Sequence, residues 1–421
     1  MMRSRAWLVL LACFASACGA SAQPADSGVA DRPVIVDAQE DTIEPDAIEP
    51  PVEDVVSPAN DAANDVADDV TDPGPQPPAE PPRGAPVVPN GQPWMWVPVP
   101  ESRCMNGTST GFGVNFSRGS NRLLIVLEGG GACFDATTCA VGTLHSDGFN
   151  EATFRTVMVA LGSSGAFNRN SGSNPFANWN YVFVPYCSGD IHGGDTTRSS
   201  TGRTHVGYRN MGHFLARILP TFSGTNAVES VVIAGSSAGG FGAAWNYDRT
   251  ARAFAPTPVH LLDDSGPIFS QTYLRPCLLD RFRAAWNLDS TMPAGCVACR
   301  TRGASMLDVL RFVMRRNAGR RFGLISSQYD SVIRTFMSYG YSPGCDAPGF
   351  FPLSDFRDGL LELRTTVGVE FSAFKSFIVP GDIHTWLMTD LQFATRIDGV
   401  SIAEWSGQLA TGAPAWRDIG R

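Results

Sequence analysis

The run Val231-Val232-Ile233-Ala234-Gly235-Ser236-Ser237-Ala238-Gly239 decides the reading of this chain. Its first four residues are apolar, three of them β-branched, which suits a strand buried on both faces. The next five spell Gly-x-Ser-x-Gly, and the small residues Ala238, Gly239 and Gly240 suit the opening of a helix. A serine hydroxyl is a weak nucleophile. It becomes useful on a sharp strand-to-helix turn, where it stands free for a histidine to reach. Glycines on either side leave room for that turn, and the small Ala238 lets its backbone N–H face an oxyanion. The same five residues alone would equally suit an ordinary tight turn, so the surrounding chain must decide.

Working outward, short apolar runs at 123–127, 181–184, 230–234, 259–262, 322–325 and 376–379 read as buried parallel strands. Helical patterns lie between them, at 205–219, 238–249, 306–316 and 331–337, with weaker ones at 356–363 and 402–409. Strands alternating with helices predict an α/β fold with a doubly wound, mostly parallel sheet and helices on both faces. The stretch 264–302, which holds several of the late cysteines, reads as an insertion over one end of the sheet.

The N-terminal part has a different character. Residues 1–22 carry Arg3 and Arg5, an apolar stretch from Ala6 to Phe14 and then small residues, the pattern of an export signal. Ala15-Ser16-Ala17-Cys18-Gly19 resembles a bacterial lipobox, with Ala15 where leucine is usual; Ala20-Ser21-Ala22 fits ordinary signal cleavage. We favour lipidation at Cys18, because residues 23–88 read as a tether. From 23 to 83 there are 16 acidic residues against Arg32 and Arg83, in a background of Pro, Ala and Val poor in aromatics. Such a composition buries no core and predicts a disordered, self-repelling linker. The overall charge of −9 is therefore misleading: from Gly84 onward 28 basic residues face 25 acidic ones. No basic block points to nucleic acid. Residues 89–421 are long enough for one large α/β domain with a substantial core.

Eight cysteines follow the signal region, at 104, 133, 139, 187, 277, 296, 299 and 345. An even number in an exported domain predicts up to four disulfides, with Cys133–Cys139 and a bridge near Cys296 and Cys299 the attractive pairings. Cys296-Val-Ala-Cys299 has no partner motif to complete a zinc site. We expect no metal and no cofactor.

Leu127-Glu128-Gly129-Gly130-Gly131-Ala132-Cys133 closes the first strand with three glycines, a turn able to aim successive N–H groups into one pocket. A base must be one of six histidines. Only His260 and His384 follow Ser237, and the order serine, acid, histidine is that of the α/β-hydrolases. His260 sits inside an apolar strand, whereas His384 follows the last strand in Pro380-Gly381-Asp382-Ile383-His384. The expected acid is Asp330, just after the strand at 322–325, with Asp263, Asp264 and Asp382 as competitors. Asp263 and Asp264 follow the strand next after the nucleophile and could instead structure the cleft.

Together these segments resemble the pectin acetylesterase/Notum family of carboxylesterases. The resemblance rests on 127–133, on Val184-Pro185-Tyr186-Cys187-Ser188-Gly189-Asp190, on 235–240, on Tyr329-Asp330-Ser331 and on Asp382-Ile383-His384. It implies an α/β-hydrolase-like fold with a disulfide-stapled insertion. It also implies Ser237 as nucleophile, Asp330 as acid, His384 as base, and the N–H groups of Gly130, Gly131 and Ala238 as oxyanion donors. Ala132 stands where family members often carry an aromatic residue. The implied substrates are oxygen esters: acetyl groups on pectin or a fatty acyl group on a protein. We expect an O-acetyl ester on a polysaccharide as the substrate, a lipid-anchored monomer at the outer membrane or cell surface, and no nucleic-acid partner. Arg198, Arg203 and Arg209 are candidates to face an acidic polysaccharide. A nucleotide-dependent oxidoreductase is set aside, because no Gly-x-Gly-x-x-Gly follows the first strand. A non-catalytic binding module on a hydrolase fold is the remaining rival.

Overall fold

The computed structural model describes residues 76–301 and 303–421. The expected export signal, Cys18 and the expected linker as far as 75 lie outside the described residues. Besides a short two-stranded pair, Arg396–Ile397 with Val400–Ser401, eight strands build the main sheet: β1 (Met95–Val99), β2 (Thr110–Asn115), β3 (Arg122–Leu127), β4 (Asn180–Val184), β5 (Ser230–Ser236), β6 (Val259–Asp264), β7 (Phe322–Ser327) and β8 (Phe374–Val379). They make one sheet in the order β1-β2-β4-β3-β5-β6-β7-β8. The strands from β4 to β8 run parallel, while β1 and β2 pair antiparallel at one edge.

The six expected strands are all present. Their near-continuous apolar character follows from burial on both faces. Leu123, Ile125, Val231 and Ile233 point into one hydrophobic cluster, and their neighbours Leu124, Val126, Val232 and Ala234 point into the other. Each fully buried aliphatic side chain of this kind stabilises the fold by about 1.5–3 kcal/mol. Helices therefore cover both faces, as the α/β reading requires. The expected helix at 238–249 is instead two, Ala238–Trp245 and Tyr247–Phe254. The break falls at Asn246, whose side-chain amide donates to His192 O and Gly242 O, both at 2.9 Å.

All eight late cysteines are paired: Cys104–Cys187, Cys133–Cys139, Cys277–Cys345 and Cys296–Cys299. Four disulfides are the mark of an exported protein that folds in an oxidising compartment. Among the described residues, no helix is long and apolar enough to cross a membrane.

The segment 76–88, expected to belong to the linker, includes residues fastened to the domain. Gly84 N–H donates to Ala216 O at 2.9 Å and Val87 N–H to Thr221 Oγ1 at 2.8 Å. Glu80 pairs with Arg249 at 2.5 Å. Arg249 explains this docking. Its guanidinium is buried against the Tyr208 ring, 3.8 Å away, and needs an anion.

Candidate active site

Parallel pairing sets the site. In register, Leu127 lies beside Gly235, Ser236 beside Asp264, Asp264 beside Ile325, and Ser327 beside Val379. The carboxyl ends of β3, β5, β6, β7 and β8 therefore form one rim. The chain goes from β3 outward to β4 and returns to β5 on the other side of β3, so the crevice between β3 and β5 is a topological switch point. Loops leaving that rim carry every sequence-predicted site residue.

Ser237 is the turn between β5 and the helix Ala238–Trp245. Its φ of 59° lies in the left-handed region, a strained conformation for serine. Its N–H is held by Asp264 O at 2.7 Å. The flanking glycines are steric necessities. A side chain at Gly235 would run into the backbone of Gly239, and one at Gly239 would strike the carbonyl oxygen of Leu127. A Cβ on Gly129 would lie 2.8 Å from Ser237 Cβ, so the glycine loop after β3 passes directly against the nucleophile turn. Gly130 and Gly131 both have positive φ, 148° and 81°. Their carbonyls are engaged, by Leu144 N at 2.8 Å and Tyr186 Oη at 3.0 Å. Their N–H groups donate to no other group among the described residues. Ala238 N–H opens the helix on the other side.

His384 lies on the loop after β8, and its Nδ1 meets Asp330 Oδ2 at 2.8 Å and Oδ1 at 3.0 Å. Asp330 is fully buried. Its Oδ1 also accepts Val332 N–H at 3.0 Å and Ile333 N–H at 2.9 Å, capping the helix Ser331–Met337. The acid and histidine loops are laced together by Tyr329 N–H to Gly381 O at 2.9 Å and Ser331 N–H to Asp382 O at 3.1 Å. Among the described residues no hydrogen bond joins Ser237 Oγ to the His384 ring, a contact that often tightens only with substrate bound.

With this geometry in view, residues 97–302 match the family model described as Pectinacetylesterase. The chain is 30 % identical over 172 residues to palmitoleoyl-protein carboxylesterase notum2 of Xenopus laevis, covering 41 % of this chain and 35 % of that protein. It is 29 % identical over 181 residues to the human palmitoleoyl-protein carboxylesterase NOTUM, covering 39 % and 34 %. The Drosophila melanogaster NOTUM is 29 % identical over 152 residues, covering 35 % and 22 %. These matches support the pectin acetylesterase/Notum family for the stretch they cover. The chain spans about a third of the length of the first two of these relatives. Ser237 and the glycine loop fall inside the stretch that matches the family, whereas Asp330 and His384 lie beyond it, so the pairing of those two rests on geometry alone.

The other carboxylates near the rim have different partners. Asp382 is exposed. Asp263 accepts Gly266 N–H at 2.9 Å, and burial beside Asp264 holds its carboxyl well above the usual carboxylate range. Asp264 accepts backbone amides of the histidine loop rather than the ring. His260 is buried in β6, where it accepts Arg321 N–H at 3.1 Å; burial and the nearby Arg321 and Arg320 lower its pKa to about 3. Sequence reasoning assigned no role to Glu128, which braces the glycine loop. Its Oε2 accepts Tyr186 N–H at 2.9 Å, its Oε1 meets His145 at 3.3 Å, and its carbonyl accepts His192 Nε2–H at 2.9 Å. Burial lowers the pKa of His192. Of the three arginines considered for an acidic substrate, Arg209 is already paired with Asp195 at 2.5 Å.

A cavity of about 50 Å³ opens at Ser237 beside Gly131 and Ala238. Its walls are apolar: Phe241, Phe282, Trp286, Met306, Phe336 and Met337. Trp286 and Phe282 come from the helix Pro276–Trp286 of the predicted insertion, which thus roofs the site. Ala132 also lines it, and Phe336 approaches Gly131 from the helix capped by Asp330.

Proposed function

We propose that this protein is a serine carboxylesterase that hydrolyses short-chain O-acyl esters through an acyl-enzyme on Ser237. The observation that carries the reading is the convergence on one sheet edge of the strained Ser237 turn, the glycine loop with two free N–H groups, and the Asp330–His384 pair at 2.8 Å. His384 takes the Ser237 proton as Oγ attacks the ester carbonyl. The N–H groups of Gly130, Gly131 and Ala238 receive the oxyanion. Collapse of the tetrahedral intermediate breaks the ester C–O bond, and the alcohol leaves with the proton from His384. Water, deprotonated by His384, then attacks the acyl carbonyl; the acid leaves and Ser237 recovers its proton. Asp330 holds the imidazole tautomer and stabilises its positive charge.

The cavity supports a small acyl group. Its volume of about 50 Å³ suits a small acyl group such as acetyl to butyryl. An O-acetylated polysaccharide fits this reading as substrate, at the end of a lipid anchor on Cys18. A longer acyl group, as in the name of the Notum relatives, is favoured only by the apolar walls.

Hydrolysis of p-nitrophenyl acetate, butyrate and octanoate by the full chain and by Ser237→Ala tests this. The expected result is kcat/KM highest for acetate or butyrate, at least tenfold lower for octanoate, and lost in the variant. Preference for octanoate would support a lipid-accepting pocket. Equal activity in Ser237→Ala would remove Ser237 as nucleophile, and no hydrolysis of any of the three esters by the parent would leave a binding module.

A further inference from the structure

One carboxylate at the rim has neither substrate nor imidazole to serve, yet it is among the most heavily engaged groups in the molecule. Asp264 ends β6 and is fully buried. Its Oδ2 accepts the Ser236 hydroxyl at 2.6 Å, from the residue just before the nucleophile. Trp386 N–H reaches both oxygens at 2.9 Å, and Leu387 N–H reaches Oδ2 at 3.1 Å. Those two amides belong to the loop that begins at His384. The Asp264 carbonyl accepts Ser237 N–H at 2.7 Å. Next to it, Ser265 Oγ donates to Oδ1 at 3.2 Å and accepts Thr385 N–H at 3.3 Å. Ser237, Ser265 and Thr385 all have positive φ, 59°, 62° and 67°. Non-glycine residues keep such conformations only where their surroundings over-determine them. Here three of them meet around one side chain.

We infer that Asp264, assisted by Ser265, is a positioning residue that fixes the nucleophile turn and the histidine loop relative to each other. This rests on the esterase reading above. Ser237 and His384 leave different strands, β5 and β8, separated in the sheet by β6 and β7. The Asp330 contact fixes the ring's tilt from the far side but not its distance to Ser237. Asp264 ties both loops to one rigid strand end. The carboxylate is matched to this: its two oxygens accept from two hydroxyls and two amides, whereas an amide in its place would turn an NH₂ donor towards the Ser265 hydroxyl or the Trp386 and Leu387 N–H groups. A misplacement of about 1 Å between nucleophile and base costs on the order of 10²-fold in rate.

The test is a double-mutant cycle in the full chain with Asp264→Asn and Asp330→Asn, read as kcat and KM on p-nitrophenyl acetate, with melting curves to establish that each variant is folded. Asp264→Asn should lower kcat on the order of 10²-fold with KM within threefold of the parent. The double variant should fall little below Asp330→Asn alone, because both carboxylates act through His384. A folded Asp264→Asn with kcat within threefold of the parent would overturn the inference, and so would losses that simply multiply. If Asp264→Asn does not fold, Ser265→Ala carries the test, since it removes only the hydroxyl that accepts Thr385 N–H. It should lower kcat about tenfold at unchanged KM, and an unchanged kcat would refute the clamp. Full activity in Ser237→Ala would instead remove the esterase reading itself, whatever Asp264 does.

Discussion

At the scale of single residues, the site is made by what small side chains permit. Gly131 has φ 81°, and a Cβ there would run into the carbonyl of Gly142. Gly131→Ala should therefore push the glycine loop off its path and misaim a proposed oxyanion donor. We expect kcat on p-nitrophenyl acetate to fall on the order of 10²-fold or more, in line with loss of one such donor. Activity within threefold of the parent would show that this loop does not bind the oxyanion. Ser237, Gly130, Gly131 and Ala238 were readable in the sequence because their requirement is local: a turn and a free N–H need small neighbours. Sequence position favours Asp330 over Asp263, Asp264 and Asp382, but which carboxylate the His384 ring meets in space is not a local property. Only the geometry separates the carboxylate that touches the ring from the one that holds its loop.

At the scale of elements, the parallel strands were legible because burial on both faces leaves unbroken apolar runs. The edge strands β1 and β2 were not. Pro98 interrupts one and Gly111 and Gly113 the other, so neither shows a strand pattern, and both glycines are needed for close packing. Acidic composition likewise hides the use of Glu80, which pairs with Arg249 although it lies in the stretch expected as linker. Arg249 is 2 % exposed in its side chain and Glu80 is 46 % exposed. Removing the acid leaves a buried guanidinium short of an anion, while water reaches part of the pair. Glu80→Ala should cost about 1–2 kcal/mol, a melting shift of roughly 2–4 °C, without changing KM. An unchanged melting temperature would show that the strap contributes no stability.

At the scale of the whole molecule, the fold encloses neutral histidines. Burial lowers the pKa of His192 and His205, and His260 falls to about 3. The unfolded chain binds a proton on His260 near 6.5, so between that pH and about 3 the folded state holds less of it, and His192 and His205 act in the same direction. The stability from keeping His260 neutral is complete above the unfolded value and is lost progressively as pH falls towards the folded one. Urea midpoints should drop from pH 7 to pH 5, and His260→Gln should flatten the drop by removing one of the titrating groups. A midpoint that does not change over that range would contradict it. The same sheet that buries these groups aligns five strand ends at one rim, and there the chemistry is assembled from loops far apart in sequence.

That assembly is tested most directly by mass spectrometry of the full chain quenched in acid during turnover of p-nitrophenyl acetate. The account predicts one acetyl group on the peptide that contains Ser237, absent from Ser237→Ala, and lost from the parent as the substrate is exhausted. Turnover with no adduct on Ser237, or an equal rate in Ser237→Ala, would contradict it.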